Sequence, residues 1–258
     1  MSKKAHARRE KIVELTRQRN LVTVEGLSRE LVVSAQTVRR DINSLCRANL
    51  LRRRHGGAEL FERPLNLSYD LRTTQNAEAK RSIAQAAAEL IQDGTTIFIS
   101  IGTTPMMVAD ALKTKKQLTV ITNNLNAAMA LSTEQSNRLI LPGGEVRLPD
   151  RDILGDEVVA LFNSHRAEVG IFGVAGIDED GSLLDFHNSE VKVREKIREN
   201  CRLSILVADA SKFGRAAPVV GGNISDVDRV IIDKSPQEAF AGLISELGAR
   251  VEISGSYG

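Results

Sequence analysis

Six short apolar runs constrain the fold of this chain more than any other feature. They are TTIFIS (95–100), LTVIT (118–122), RLILP (138–142), VGIFGVA (169–175), LSILVA (203–208) and RVIID (229–233). Each is nearly continuous in apolar residues rather than alternating, and helical segments separate them. Strands buried on both faces read this way, and the intervening helices serve as crossovers. The pattern therefore predicts an α/β fold with a mainly parallel sheet covered on both sides. With 42% hydrophobic residues, 258 positions suffice for a sizeable core and for two domains. No internal repeat or low-complexity tract interrupts the series.

The net charge of +2 hides an asymmetry: residues 1–63 carry 15 Lys and Arg against 7 Asp and Glu, and the remainder carries 20 against 26. A basic head on an acidic body points to a polyanion partner for the head. In that head, Ile12, Val13 and Leu15 predict a helix from about Arg8 to Arg19. Leu27 and Leu31 predict a second, over Val24 to Leu31, with Thr23 as its cap. After a short Val-Val turn, VSAQTVRRDINSL predicts a third helix capped by Ser34, with Val38, Ile42 and Leu45 on one face. At about 100° per residue, Gln36, Arg39, Arg40 and Asn43 then project to the flanks and the solvent side.

Three short helices with such a third member have the layout of a helix-turn-helix whose last helix enters the DNA major groove. Gln and Arg make bidentate contacts to base edges, whereas Ser34 and Thr37 suit phosphates. NLLRRRHGGAEL follows, and reads as a β-hairpin wing with Arg52, Arg53, Arg54 and His55 beside Gly56 and Gly57. A solvated charged face is the competing reading of any single Arg pair. Helix and wing together strongly resemble the DeoR family of bacterial transcription regulators, over roughly Arg8 to Leu60. The resemblance implies that Gln36, Thr37, Arg39 and Arg40 lie on the recognition helix and that Arg52 to Gly57 belong to the wing.

FERPLNLSYDLRTTQ (61–75) is polar, contains Pro64 and lacks periodicity, and reads as a linker. The expected organisation is a winged helix-turn-helix domain over 1–60, a linker over 61–75 and a second domain over 76–258. In an open parallel sheet, ligands bind beyond the carboxyl ends of strands. There the first loop offers Gly102, Thr103 and Thr104 ahead of Pro105, a phosphate-shaped turn at a helix N-terminus. The next loops offer Asn123 and Asn124, then Gly143 and Gly144. The fifth run ends near Asp209 and Lys212, with the lysine suited to a phosphate and the carboxylate to sugar hydroxyls or to orienting the lysine. Each of these has a structural alternative: a helix cap, a turn or a surface lysine.

IGTTP, TNNLN, PGGE, GVAGID and DASKFG resemble the sensor domain of the same DeoR family, which is similar in fold to ribose-5-phosphate isomerase. The resemblance implies a repressor of a carbohydrate or polyol catabolic operon, with double-stranded operator DNA as partner. Its effector would be a phosphorylated sugar or polyol, glycerol-3-phosphate or a related sugar phosphate, that relieves repression. A sugar-phosphate opine is the alternative effector, and Phe186, His187 and Asn188 are the residues expected to vary with ligand on the sugar side.

No GxxxxGK[ST] or GxGxxG loop is present, so neither a nucleoside triphosphate nor a dinucleotide is favoured, and no cofactor or metal is expected. Cys46 and Cys201 are too few for a metal cluster or disulfide framework and read as buried free thiols. No apolar run reaches 18 residues and no secretory signal is evident, so a cytoplasmic protein with no membrane partner is expected. Two further readings stand beside the regulator: an isomerase using Asp185 or Glu190, which has no evident need of a basic winged helix, and a general nucleic-acid-packaging protein. One short recognition helix per chain fits a homo-oligomer reading paired half-sites.

Overall fold

The computed structural model describes residues 3–19, 21–47, 51–54, 56–60 and 69–256. The chain divides into two compact units, Met1–Leu65 and Asn66–Gly258.

The first unit runs α1 (Lys3–Arg19), β1 (Leu21–Thr23), α2 (Val24–Glu30), α3 (Ala35–Arg47), β2 (Leu51–Arg54) and β3 (Gly57–Leu60). The three strands form an antiparallel sheet in the order β1-β3-β2, which completes a winged helix. Its core is small and continuous: Ile12, Leu15, Leu27, Val38, Ile42 and Leu45 from the helices meet Val22, Leu51 and Ala58 from the sheet. Helix α1 begins five residues before the predicted start, because the apolar stripe used to find it marks only the part that packs.

Thr23 caps α2 by accepting from the Gly26 N–H at 3.1 Å, and Ser34 caps α3 by accepting from Thr37 at 3.2 Å. The turn between them is tied by Ser28, whose hydroxyl donates to the Val33 carbonyl at 2.6 Å. Arg8 and Arg9 of α1 both reach Asp41 of α3, at 2.5 and 2.8 Å, and lock the two helices together. Gly57 must be glycine: a Cβ there would fall 2.0 Å from the Val22 carbonyl oxygen, where β3 crosses β1.

In the second unit, α4 (Tyr69–Thr74) and α5 (Ala77–Glu89) precede β4 (Thr96–Ile99), α6 (Thr103–Ala111), β5 (Thr119–Thr122), α7 (Leu125–Leu131) and β6 (Arg138–Ile140). A short hairpin of β7 (Val146–Arg147) and β8 (Asp152–Ile153) leads to α8 (Asp156–Asn163), β9 (Ala167–Phe172), β10 (Gly176–Ile177) and β11 (Ser182–Asp185). The chain closes with α9 (Asn188–Glu199), β12 (Cys201–Val207), β13 (Val219–Asn223), β14 (Arg229–Ile232), α10 (Ala241–Leu247) and β15 (Val251–Ile253). Helix α4 lies inside the stretch read as linker. Only Tyr69 and Leu71 are apolar in it, too few to show a period, yet Tyr69 is buried.

Seven parallel strands form the main sheet in the order β15-β14-β12-β9-β4-β5-β6. All six apolar runs supply strands to it. The edge strand β15, the β7–β8 hairpin and a three-stranded antiparallel sheet β10-β11-β13 escape sequence reading because none of them carries a long continuous apolar run. Alternate residues point to opposite faces: Ile97 and Ile99 pack in one layer with Ile83, Val108 and Leu131 of the helices α5 to α7. Phe98 packs in the other with Phe162, Val193 and Ile197 of α8 and α9. Burying such side chains contributes roughly 1.5–3 kcal/mol each, which is why no strand needs a polar face. From β4 the chain winds outward through β5 and β6, then returns to wind the other way from β9. The crevice beyond the ends of β4 and β9 is therefore the topological switch point of the sheet, where open α/β folds hold ligands.

Cys46 and Cys201 are free and half-buried rather than fully buried. Among the described residues, no helix is long and apolar enough to cross a membrane.

Candidate functional site

On the winged helix, the packing of α3 settles which of its side chains remain available. Val38, Ile42 and Leu45 are buried, as is Asp41, and the opposite face presents Gln36, Arg39, Arg40 and Asn43 to solvent. Thr37 is half-buried, and its hydroxyl lies 2.9 Å from that of Ser34, so this pair completes the helix cap. In the wing, Arg53 is exposed, while Arg54 pairs across the strands with Glu59 at 2.9 Å. Gly56 sits at φ +75° in open space, as the tight turn between β2 and β3 requires, and Gly57 is packed against β1. His55 and the side chain of Arg52 lie outside the described residues.

The second unit holds a charged pocket at the switch point. Its floor is the turn from Ser100 to Pro105 after β4, together with Gly173, Val174 and Ala175 after β9. Gly102 adopts φ +110°, and the N–H groups of Gly102, Thr103 and Thr104 make no hydrogen bond among the described residues. These open donors stand at the positive end of α6.

Asn124 organises this turn from beneath. Its amide donates to the carbonyls of Ser100 and Gly102, both at 3.2 Å, while its side-chain oxygen caps α7 by accepting from Asn126 and Ala127. Asn123 is buried beside it, donates to the Ile153 carbonyl at 2.8 Å and so pins the β7–β8 hairpin. The two asparagines hold the pocket's loops without lining it.

The walls are ionic. Arg147 pairs with Asp152 at 2.8 Å and Glu190 at 2.9 Å, and Arg194, almost fully buried, pairs with Asp185 at 2.9 Å and donates to the Gly221 carbonyl at 2.7 Å. Arg72 pairs with Asp150. Arg215 donates to the Ala175 carbonyl at 3.0 Å and lies over the Phe186 ring at 5.3 Å. Lys212 lines the same pocket and its ammonium has no hydrogen bond among the described residues.

Burial pushes Lys212 down to about 8, and Arg215 nearby adds to the effect against the pull of Asp209. Burial pushes Asp185 up to about 6 despite Arg194. Burial also raises Asp209, but hydrogen bonds from Ser211 and Asn76 and the charge of Lys212 together outweigh it and hold the carboxyl below its usual range.

Of the residues proposed from sequence, Gly102, Thr103, Thr104 and Lys212 come together in the pocket. Asp209 does not line it. It is buried and accepts from Asn76 at 3.0 Å at the start of α5 and from the Ser211 backbone, so it fixes the turn that carries Lys212. Gly143 and Gly144 lie off the pocket in the loop before β7. Phe186 is at the pocket, whereas His187 caps α9 and Asn188 begins that helix.

Arg72, Arg147, Asp150, Asp152, Arg194 and Arg215 were not identified from sequence: all but Arg215, three residues past Lys212 in the same loop, lie away from the turns that directly follow the predicted strands. One signal was available. Arg194 falls on the same stripe of α9 as Val193 and Ile197, and a charge on a buried stripe demands a partner.

A winged helix joined in one chain to an α/β unit with a cationic pocket at its switch point defines a DNA-binding protein with a ligand-responsive domain. The model for the DeoR-like helix-turn-helix domain matches residues 8–63, and that for the DeoR C-terminal sensor domain matches residues 75–234. The chain belongs to the DeoR family.

Among curated relatives, the glycerol-3-phosphate regulon repressor of Escherichia coli (strain K12) is 42% identical over 94% of this chain and 96% of its own. The protein of the same name from Haemophilus influenzae is 42% identical over 91% of each. Of solved structures, ribose 5-phosphate isomerase A from Neisseria gonorrhoeae superposes with a TM-score of 0.39 and 17% identity, over 57% of this chain and 56% of that one.

Proposed function

We propose that this protein is a sequence-specific, operator-binding transcriptional repressor of a carbohydrate or polyol catabolic operon, released by a small phosphorylated effector, with glycerol-3-phosphate the first candidate. One observation carries the effector assignment: the open N–H groups at the start of α6 and the unengaged Lys212 ammonium line one pocket, two independent donors for one dianion. Carboxylates on the same walls supply acceptors for hydroxyl groups. The names of the 42%-identical relatives agree with this choice. On the winged helix, the exposed set Gln36, Arg39, Arg40 and Asn43 reads base edges, and Arg53 of the wing contacts the backbone. We place this activity in the cytoplasm and assign the protein no turnover, because Asp185, the acid most shifted by its surroundings, is committed to Arg194.

The test is titration of the full chain against DNA from upstream of its own gene and its neighbours, with and without glycerol-3-phosphate and a panel of other sugar phosphates. Selective binding released by glycerol-3-phosphate is expected, with an even number of chains per operator. Arg39→Ala or Arg40→Ala should weaken operator binding by about 1–3 kcal/mol. Release by another phosphate alone reassigns the effector. Equal affinity for all duplexes, or conversion of any panel compound, would overturn the regulator reading.

A further inference from the structure

Among the described residues, helix α4 is the first element after β3 of the winged helix, and it is fastened to the sensor pocket. Three of its residues meet the loop between β7 and β8. Arg72 pairs with Asp150, the Tyr69 ring has the guanidinium groups of Arg72 and Arg151 each 5.7 Å from its centre, and Asp70 accepts from Arg151 at 3.3 Å. Lys80, buried in α5, donates to the Arg72 and Gln75 carbonyls and holds the end of α4 in place. Arg72 and Asp150 both line the pocket that contains Lys212 and the start of α6. The Arg72–Asp150 pair is mostly buried, with side chains 18% and 12% exposed, so water screens it little.

We propose that α4 is a latch operated by the pocket, with Arg72 as its bolt. This rests on the effector reading above and states how that same site is regulated. A phosphate dianion in the pocket competes with the Asp150 carboxylate for the Arg72 guanidinium. Helix α4, the described element that follows the winged helix in sequence, is thus held by Asp150 and released by ligand. A ligand shifts such an equilibrium only through contacts that differ between its two states, and exchange of Asp150 for phosphate on Arg72 is such a difference. The sign is negative: effector and operator oppose each other.

The experiment measures operator affinity of the full chain for wild type, Asp150→Asn, Arg72→Gln and the double variant, each with and without glycerol-3-phosphate or inorganic phosphate. With no phosphate present, each single variant should bind operator about fivefold or more weakly. The loss in the double variant should fall short of the sum of the single losses, because both singles remove the Arg72–Asp150 pair, while Asp150→Asn also removes a contact with Arg147 at 3.5 Å and Arg72→Gln one with the Tyr69 ring. Asp150→Glu keeps a carboxylate for Arg72 and should recover part of the operator affinity lost in Asp150→Asn, which separates the latch from general loss of fold. Wild-type operator affinity in both Asp150→Asn and Arg72→Gln, or additive losses in the double variant, overturns the latch. If wild type ignores every phosphate while Asp150→Asn still loses the operator, the latch stands and the effector reading falls.

Discussion

Lys212 combines burial with the absence of a hydrogen-bonded partner among the described residues, and both facts bear on how a phosphate would be held. Burial and Arg215 bring its ammonium to about 8, so it loses charge as pH rises through that value. A dianion binds the charged form better, so effector affinity should change little near pH 7, where a phosphate monoester is already mostly dianionic, and fall up to tenfold per unit above about pH 8. Lys212→Arg keeps the charge at all these values. Calorimetric titration with glycerol-3-phosphate from pH 7 to 9.5 should show the fall in wild type and lose it in the arginine variant. A parallel fall in both would place the titrating group elsewhere.

Individual residues also show how far a sequence can be read. Gly102, Thr103, Thr104 and Lys212 were legible because strand-end loops are few and their chemistry is local. Asn123 and Asn124 were legible as important but not in kind. Only the fold reveals that their amides brace two loops instead of facing a ligand. Arg72, Arg147 and Arg194 carry no local mark of a pocket, since their positions depend on which distant strands become neighbours.

At the scale of elements, the winged helix depends on the α1–α3 clasp through Asp41. Burial raises that carboxyl, but the hydrogen bonds from Arg8 and Arg9 outweigh it and leave it below its usual range. A carboxyl lowered on folding contributes stability above its unfolded value near 3.9, lost as pH falls through the lower folded one. Melting curves between pH 7 and 3 should show Asp41→Asn less stable by about 1–3 kcal/mol at neutral pH, with the difference shrinking in acid. A constant difference across the range would mean that the clasp is not ionic. The elements legible in advance are those with long periodic or continuous patterns. Helix α4, strand β15 and the two small sheets are missed because their two to six residues carry neither a period nor a long continuous apolar run, and tertiary partners rather than propensity fix their conformation.

Across the whole molecule, release of operator by effector, as proposed, requires a reciprocal coupling between the two units. If glycerol-3-phosphate weakens operator binding by some factor, operator must weaken glycerol-3-phosphate binding by the same factor. Fluorescence titration of effector into protein alone and into preformed operator complex should give two affinities whose ratio equals the loss of operator affinity. Unequal factors would reveal a further linked event, such as a change in the number of chains.

The pocket draws its charges from positions as far apart as Arg72 and Arg215, whereas every element of the winged helix is complete by Leu60. Because synthesis proceeds from the N-terminus and domains fold as they emerge, the ability to grip DNA arises before the ability to be told to let go. A chain stopped short of Arg215 therefore holds a finished DNA-reading surface and an unfinished receptor for the signal.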